Sequence, residues 1–264
     1  MLKSLYTSAT GMKAQQTMVD MIANNIANVN TSGFKKSQAS FEDLFYVTLQ
    51  SPGLARGTNG DAVPIGTQIG SGTRLNGTTK VFTTGTLEIT ERSLDVAIDG
   101  QGFFSVILPD GQTGYTRDGN FHLNADGKLV TGAGNVLTPE ITVPSDTLEI
   151  SIDPEGRVSG RTAGSPDTST QFGQLNIHRF VNPSGMLAAG SNVMRVTEAS
   201  GAPTTGPPGS NGLGLLKQGF IERSNVQIVN ELVNLIVAQR AYEVNSRTIK
   251  ASDQMLQTAT NLSR

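Results

Sequence analysis

The stretch ERSNVQIVNELVNLIVAQRAYEVNSRTIKASDQMLQTATNLSR, Glu222 to Arg264, decides how the rest of the chain is read. It contains neither Gly nor Pro, so neither the backbone-entropy penalty nor the missing donor that ends helices interrupts it. Ser224 or Asn225 is placed to cap its start, because a short side-chain oxygen can accept from first-turn N–H groups. Ile228, Leu232, Leu235, Tyr242, Ile249 and Leu256 recur at steps of three and four or their multiples, which puts them on one helical face. Gln239, Ser246 and Asp253 fill the remaining positions of that seam, so it is no strong leucine zipper. Val229, Val233, Ile236 and Val237 widen the apolar face in the first half. At about 1.5 Å per residue such a helix spans roughly 55–60 Å, too long for a small domain to cover. It requires partner helices.

The opposite end of the chain reads the same way. Leu2, Leu5, Ala9, Met12, Val19, Ile22 and Ile26 form an apolar stripe at helical spacing, with Gln16 inside it, and predict a helix from residue 2 to about 29. Gly11 weakens its middle by about 1 kcal/mol relative to Ala. The first 34 residues carry only Lys3, Lys13 and Asp20 as charges. A lone helix so poor in charge aggregates, so this one is expected to be buried in an assembly or unstructured until it arrives there. In MIANNIANVNTSGF, Asn24, Asn25, Asn28 and Asn30 tolerate left-handed backbone and Gly33 can close the helix end. Asn25 and Asn28 are expected to serve that helix end and hydrogen bonds between subunits rather than a bound ligand.

Between the two helices the pattern changes twice. Phe41, Leu44, Phe45 and Val47 form a short apolar patch, either one or two helical turns or a strand. The run SPGLARGTNGDAVPIGTQIGSGTRLNG is rich in Gly, Pro, Thr and Asn, and predicts an extended, poorly cored arm. From Leu94 to about Thr197, short segments alternate with Asp99-Gly100, Asp110-Gly111, Asp118-Gly119, Asp126-Gly127 and Gly134-Asn135. Asp-Gly is a hairpin signal because tight turns need positive φ. Arg161 to Gln171 is expected to be a loop, and Ser200 to Gly212 a flexible connector. The predicted fold class is therefore α+β. Long terminal helices (1–33 plus 224–264) are joined by an extended arm (34–93 plus 208–223) to an inserted all-β domain (94–207).

Composition narrows the function. The 264 residues are 36% hydrophobic and 16% charged, with 30 Gly and a formal net charge of −2. The weak net charge and the lack of a Lys/Arg cluster argue against nucleic acid or an anionic membrane as partner. No apolar run is long enough to insert in a membrane, and Met1 to Ser4 leads into polar sequence rather than an apolar h-region, so no cleavable secretory signal is expected. The chain has no Cys, which removes disulfide and thiolate chemistry and suits passage into an oxidising compartment. His122 and His178 are the only histidines, and neither has a ligand or nucleophile partner at a useful spacing. GTQIGSG and GLGLLKQG lack the strand-before, helix-after context of phosphate loops. Asp153-Pro154-Glu155-Gly156 lacks the repeated ligands of a calcium loop. The expectation is a protein that is not an enzyme, with no catalytic residue, metal or cofactor.

Four stretches together carry a resemblance. MIANNIANVNTSGFKKS (Met21 to Ser37) resembles the N-terminal signature of the flagellar basal-body rod and hook protein family, and SNVQIVNELVNLIVAQRAYEVNSRTIKASDQMLQTATNL (Ser224 to Leu262) resembles its C-terminal helix. DVAIDGQGFFSVILPDGQTGYTRDGNFHLNADGKLVT (Asp95 to Thr131) is similar to the β-domain run of the family's distal-rod branch, as is YVTLQSPGLARGTNGDAVPIGTQIG. The resemblance covers essentially the whole chain. It implies a structural subunit exported unfolded by the flagellar type III apparatus and polymerised in the periplasm as an open helical homo-oligomer, with the terminal helices (1–33 plus 224–264) paired as a coiled coil. The product is a rigid hollow drive shaft that transmits torque from motor to hook. The implied partners are proximal rod subunits, hook subunits, outer-envelope ring proteins, the export apparatus and rod-assembly factors.

The same resemblance implies self-assembly through Leu2, Leu5, Met12, Val19, Ile22, Ile26, Asn25 and Asn28 of the first helix and Ile228, Leu232, Leu235, Tyr242, Ile249 and Leu256 of the last. It further implies a straightening role for the segment marked by Tyr46, Pro52, Gly53, Pro64 and Gly66. A proximal rod or hook subunit is the neighbouring alternative, which the 46–70 segment disfavours for hook. A cell-wall-binding β module on a coiled-coil stalk is the alternative of a different class, disfavoured by the absence of Trp and the presence of only four Tyr.

Overall fold

A computed structural model of the chain describes residues 2–51 and 65–262. It falls into two compact units. The first consists of the two terminal helices and the strands lying between Ser37 and Thr79; the second comprises Ala27–Lys36 and Lys80–Gln227.

In the first unit, α1 (Leu2–Ala27) and α2 (Ile228–Leu262) are the long helices that the Gly- and Pro-poor termini predict. With 35 residues, α2 is about 52 Å long. Contacts between the two helices come at seven-residue steps. Ser4 Oγ lies 3.2 Å from Ser252 Oγ, and a Cβ placed on Gly11 would lie 3.0 Å from Asn245 Nδ2. Asn25 Nδ2 donates to Glu231 Oε2 at 3.4 Å. Numbers rise on α1 while they fall on α2, so the helices run antiparallel. Met18 and Ala238 occupy the intervening step, and Ala238 is fully buried.

The inward face of α2 is therefore Glu231, Ala238 and Ser252, with Leu235, Asn245, Ile249 and Leu256 half-buried. Of the polar residues expected in that seam, Ser246 is half-buried while Gln239 and Asp253 are exposed, the buried Ala238 and Ser252 lying one residue earlier. Ser8, Gly11, Ala14, Ala238 and Ser252 are small enough to let the two backbones approach, which large aliphatic side chains at those positions would prevent. The helix also starts at Ile228, later than the proposed caps. Ser224 Oγ accepts from Val226 N in a local turn, and Asn225 is engaged elsewhere.

The segment between 37 and 80 forms paired strands. Ser37–Asp43 pairs with Thr73–Lys80, and Tyr46–Gln50 with Thr67–Gly70 in the register Tyr46↔Gly70. The Phe41–Val47 patch is thus extended, not helical. Thr10 Oγ1 on α1 accepts from Thr73 N at 3.4 Å.

The second unit is all-β apart from one 3₁₀ turn, among the described residues. Its largest sheet has seven strands and is centred on a hairpin, Phe104–Ile107 with Thr113–Thr116, in the register Phe104↔Thr116. Asp110-Gly111 lies at the turn of that hairpin, with Gly111 at φ +77. Asp118-Gly119, predicted as another tight turn, differs: a Cβ on Gly119 would lie 1.7 Å from the Val96 carbonyl oxygen, so glycine is needed there for close backbone approach. Arg161–Gln171 is not a loop. Most of it is the strand Ser165–Gln174, paired with Arg157–Thr162, whose polar Ser and Thr side chains reflect exposure rather than disorder. Within the expected connector, Thr204–Gly206 pairs with Ile177–Arg179.

The two adjacent phenylalanines of GQGFF point to different cores, as alternation along a strand requires. Phe104 joins the main cluster with Ile98, Val106, Phe121, Leu137 and Ile177. Phe103 joins a second cluster with Tyr115, Phe180, Met186 and Met194.

Candidate functional site

Two signature stretches that are far apart in sequence, and the strand preceding the third, meet at one carboxylate in the second unit. Lys35 comes from TSGFKKS, Arg117 from YTRDGNF, and Glu222 from the strand Phe220–Glu222 that precedes α2. Glu222 Oε1 accepts from Lys35 Nζ at 2.6 Å and from Gly85 N at 2.7 Å. Its other oxygen accepts from Arg117 Nε at 2.6 Å. The side chains of Lys35, Arg117 and Glu222 are only 2%, 5% and 1% exposed. Lys35 also donates to the Thr83 carbonyl at 2.7 Å, and Arg117 to the carbonyls of Gly102, Ile98 and Gly100.

Backbone bonds lock the same junction. Gly33 N donates to Glu222 O at 2.8 Å, and Val81 N to Lys36 O at 2.9 Å. Asn225 accepts from Lys36 N with its Oδ1 (2.8 Å) and donates from Nδ2 to Val81 O (2.8 Å). Asn192 Nδ2 donates to Ser32 O at 3.1 Å. Gly33 adopts φ +67, and a Cβ there would come within 2.6 Å of Asp118 N, so the turn accepts no larger residue.

Electrostatics follow from burial. Desolvation would raise the Glu222 pKa, but Arg117 and Lys35 outweigh it and hold the carboxyl below its ordinary range. Desolvation dominates at Lys35 and lowers its pKa, with Glu222 restoring part of the loss. Two cations face one carboxylate, which leaves one surplus positive charge. Beside it opens a cavity of about 590 Å³ walled in part by Phe82, Phe103 and Phe180. The ion cluster is structural: it holds the segment after α1 and the strand before α2 on the β unit.

The residues expected to mediate assembly are distributed as follows. On α1, Ile22 and Asn25 are buried, while Leu5, Met12, Val19, Ile26 and Asn28 are half-buried; Leu2 lies in the helix. Asn25 holds the backbone of Ser37 with both ends of its amide, accepting from N at 2.9 Å and donating to O at 3.0 Å. On α2, Leu235, Ile249 and Leu256 are half-buried, whereas Ile228, Leu232 and Tyr242 are exposed. Val229, Val233, Ile236 and Val237 extend that exposed stripe, with Val229 at 73%. Tyr46 is exposed and Gly66 half-buried; Pro52, Gly53 and Pro64 lie outside the described residues.

Lys35, Arg117 and Glu222 were not among the expected site residues. Their signal is chemical: in a chain only 16% charged, each stands within two residues of an aromatic side chain, the half-buried Phe34 and Phe220 and the buried Tyr115. His178 is likewise internal, bonded to Ser105 Oγ (2.8 Å) and Thr205 Oγ1 (2.9 Å), and burial lowers its pKa. Among the described residues no group of His, Asp and Glu could hold a metal ion, and no helix is long and apolar enough to cross a membrane.

Comparison with known proteins accounts for the whole chain. Residues 5–35 match the family described as flagella basal body rod protein. Residues 97–160 match the flagellar hook protein FlgE/F/G D1 domain, and 217–262 the flagellar basal body rod FlgEFG protein C-terminal region. The flagellar basal-body rod protein FlgG of Buchnera aphidicola (Schizaphis graminum) is 47% identical over 99% of this chain and 100% of its own length. That of Borreliella burgdorferi is 46% identical over 100% of both chains. The flagellar hook-basal body complex protein FlhP of Bacillus subtilis is 28% identical over 97% of both. The chain belongs to the flagellar basal-body rod protein family.

Proposed function

We propose that the chain is a structural subunit of the flagellar distal rod, polymerising helically into a rigid hollow shaft that transmits torque from motor to hook across the periplasm. Full-length identity to proteins named FlgG supports this placement. The observation that carries the polymer is the exposed aliphatic stripe of α2, Ile228, Val229, Leu232, Val233, Ile236 and Val237, on a helix already seated against α1 on another face. Covering the exposed part of each side chain contributes about 1 kcal/mol, a gain that repeats in every copy of an open head-to-tail array.

In this reading 1–33 and 224–264 form an antiparallel coiled coil, supported by the seven-residue steps from Ser4–Ser252 to Asn25–Glu231. Segments 34–93 and 208–223 connect it to the β domain, 94–207. Leu2, Leu5, Met12, Val19, Ile22, Ile26, Asn25 and Asn28, with Leu235, Tyr242, Ile249 and Leu256, complete the assembly surfaces. The 46–70 segment keeps the shaft straight. Its neighbours are proximal rod subunits, hook subunits and the outer-envelope ring proteins, and it reaches them through the flagellar export apparatus with rod-assembly factors.

Electron microscopy of purified protein tests the proposal. Wild type is expected to form straight tubes. Val233→Asp with Val237→Asp is expected to abolish them without changing the melting of the β unit. Tubes from the double variant would refute the role of the stripe.

A further inference from the structure

We propose that the cavity beside the Lys35–Glu222–Arg117 cluster receives an acidic side chain, flanked by an aliphatic one, from a second copy of this chain. The proposal rests on the rod reading and names a contact within it.

Lys35 and Arg117 line the cavity, and the cluster they form with Glu222 carries one more cation than anion. Lys35 has three N–H groups and uses two, on Thr83 O and Glu222 Oε1; Arg117 has five and uses four. One donor remains on each. A surplus buried cation is costly until a counter-charge reaches it. At the mouth, Arg179 has no acidic partner among the described residues and makes only a 3.5 Å bond to Asn211 O. Part of the wall is apolar: Phe82, Phe103 and Phe180 pack edge-to-face with centroids 5.5 and 5.8 Å apart. Val181 at the rim is 91% exposed.

The cluster and Arg179 together carry two unmatched positive charges, so an acidic side chain supplies an anion to them while its aliphatic neighbour covers the phenylalanines. The β unit displays such groups. Glu91, Asp146 and Glu198 are exposed, have no basic partner among the described residues, and each stands two residues from an exposed aliphatic side chain: Ile89, Leu148 and Val196. Every copy in an array thus offers both the acid and the receptor.

Two measurements test the contact. The first is NMR titration of the dilute full chain with 3-phenylpropionate and with 3-phenylpropanol, following Phe103 and Phe180. The acid is expected to bind at least about tenfold tighter than the alcohol, and about tenfold tighter to wild type than to Arg179→Glu. The second is tube formation, which Arg179→Glu should abolish and Arg179→Lys should retain, with the β unit of both melting as in wild type. Equal binding of acid and alcohol overturns the site. Acid-selective binding with normal tubes from Arg179→Glu overturns the second copy as donor and leaves a small-molecule acid as the ligand. If wild type and Arg179→Lys both fail to form tubes while the acid binds selectively, the rod reading fails and the carboxylate site stands.

Discussion

Replacing Glu222 by Gln isolates the charge term at the junction, because the side chain keeps its size while the carboxylate facing Lys35 and Arg117 is lost. The cluster goes from a net charge of +1 to +2 at side chains no more than 5% exposed. Gly85 N, Lys35 Nζ and Arg117 Nε all donate to Glu222, so an amide must turn its NH₂ toward at least one donor. Breaking a buried ion pair from one side costs about 3–5 kcal/mol. For a unit of this size each kcal/mol lowers the melting temperature by about 2–4 °C, so the β unit should melt roughly 6–20 °C lower. Adding Lys35→Met returns the net charge to +1. The double variant should therefore be more stable than the two single costs predict, with a coupling of about 1–3 kcal/mol. Circular dichroism melts of dilute monomer measure both. The sign with pH follows from the depressed Glu222 pKa. Its stabilisation is present above the ordinary value of 4.5 and is lost as pH falls through that value toward the lower folded one. Glu222→Gln should lack that part of the acid limb. A Glu222→Gln melt indistinguishable from wild type, or costs that add to within about 0.5 kcal/mol, would refute the cluster as an electrostatic unit.

Other perturbations probe other parts of the fold. Burial holds His178 below its ordinary 6.5, so the β unit should lose stability as pH falls below that value, a dependence His178→Gln should lack; melts across that pH range measure it. Gly33→Ala should destabilise by more than about 1 kcal/mol, since the backbone is left-handed and the methyl would meet Asp118 N; a denaturant titration reads the cost. Asn25→Asp sets a second carboxylate against Glu231 and against the Ser37 carbonyl, so helicity should fall at neutral pH and recover in acid, as one carboxyl takes a proton. Unchanged ellipticity at neutral pH would count against the Asn25–Glu231 contact.

Helix existence was legible because Gly and Pro are absent from 222–264 and the apolar steps are regular. The face of α2 that meets α1 was less so. Hydrophobic periodicity marks where apolar side chains cluster, and on α2 the largest cluster, Ile228 to Val237, is not the face packed within the chain. Leu235, Ile249 and Leu256 do turn inward as their spacing predicts, but the most buried inward positions, Glu231, Ala238 and Ser252, are small or polar and carry little hydrophobic signal. Likewise Ser165–Gln174 looked like a loop because an exposed strand, held by ladder bonds to Arg157–Thr162, needs no apolar alternation. The ion cluster was invisible for another reason. Lys35, Arg117 and Glu222 are separated by 82 and 105 positions (117 − 35 and 222 − 117), and only the pairing of Phe220–Glu222 with Leu87–Ile89, together with Gly33 N on Glu222 O, shows that they share one place.

The division of chemistry between the two faces of α2 has a consequence for assembly. The most buried positions of α2 in the seam are small or polar, and two polar pairs, Ser4 with Ser252 and Asn25 with Glu231, cross it. Sliding α1 by seven residues would set Asn25 against Ala238 and strand the Glu231 carboxylate, 5% exposed, without its amide. Such a seam sets register more than it adds stability. The aliphatic stripe has the opposite character: its burial is worth more, and dispersion and desolvation do not discriminate one aliphatic neighbour from another. On the proposed pairing, alignment is therefore settled within a chain and the driving force is gained between chains. A subunit built this way takes the phase of its helices from its own seam and leaves its most apolar surface for a neighbouring copy to cover.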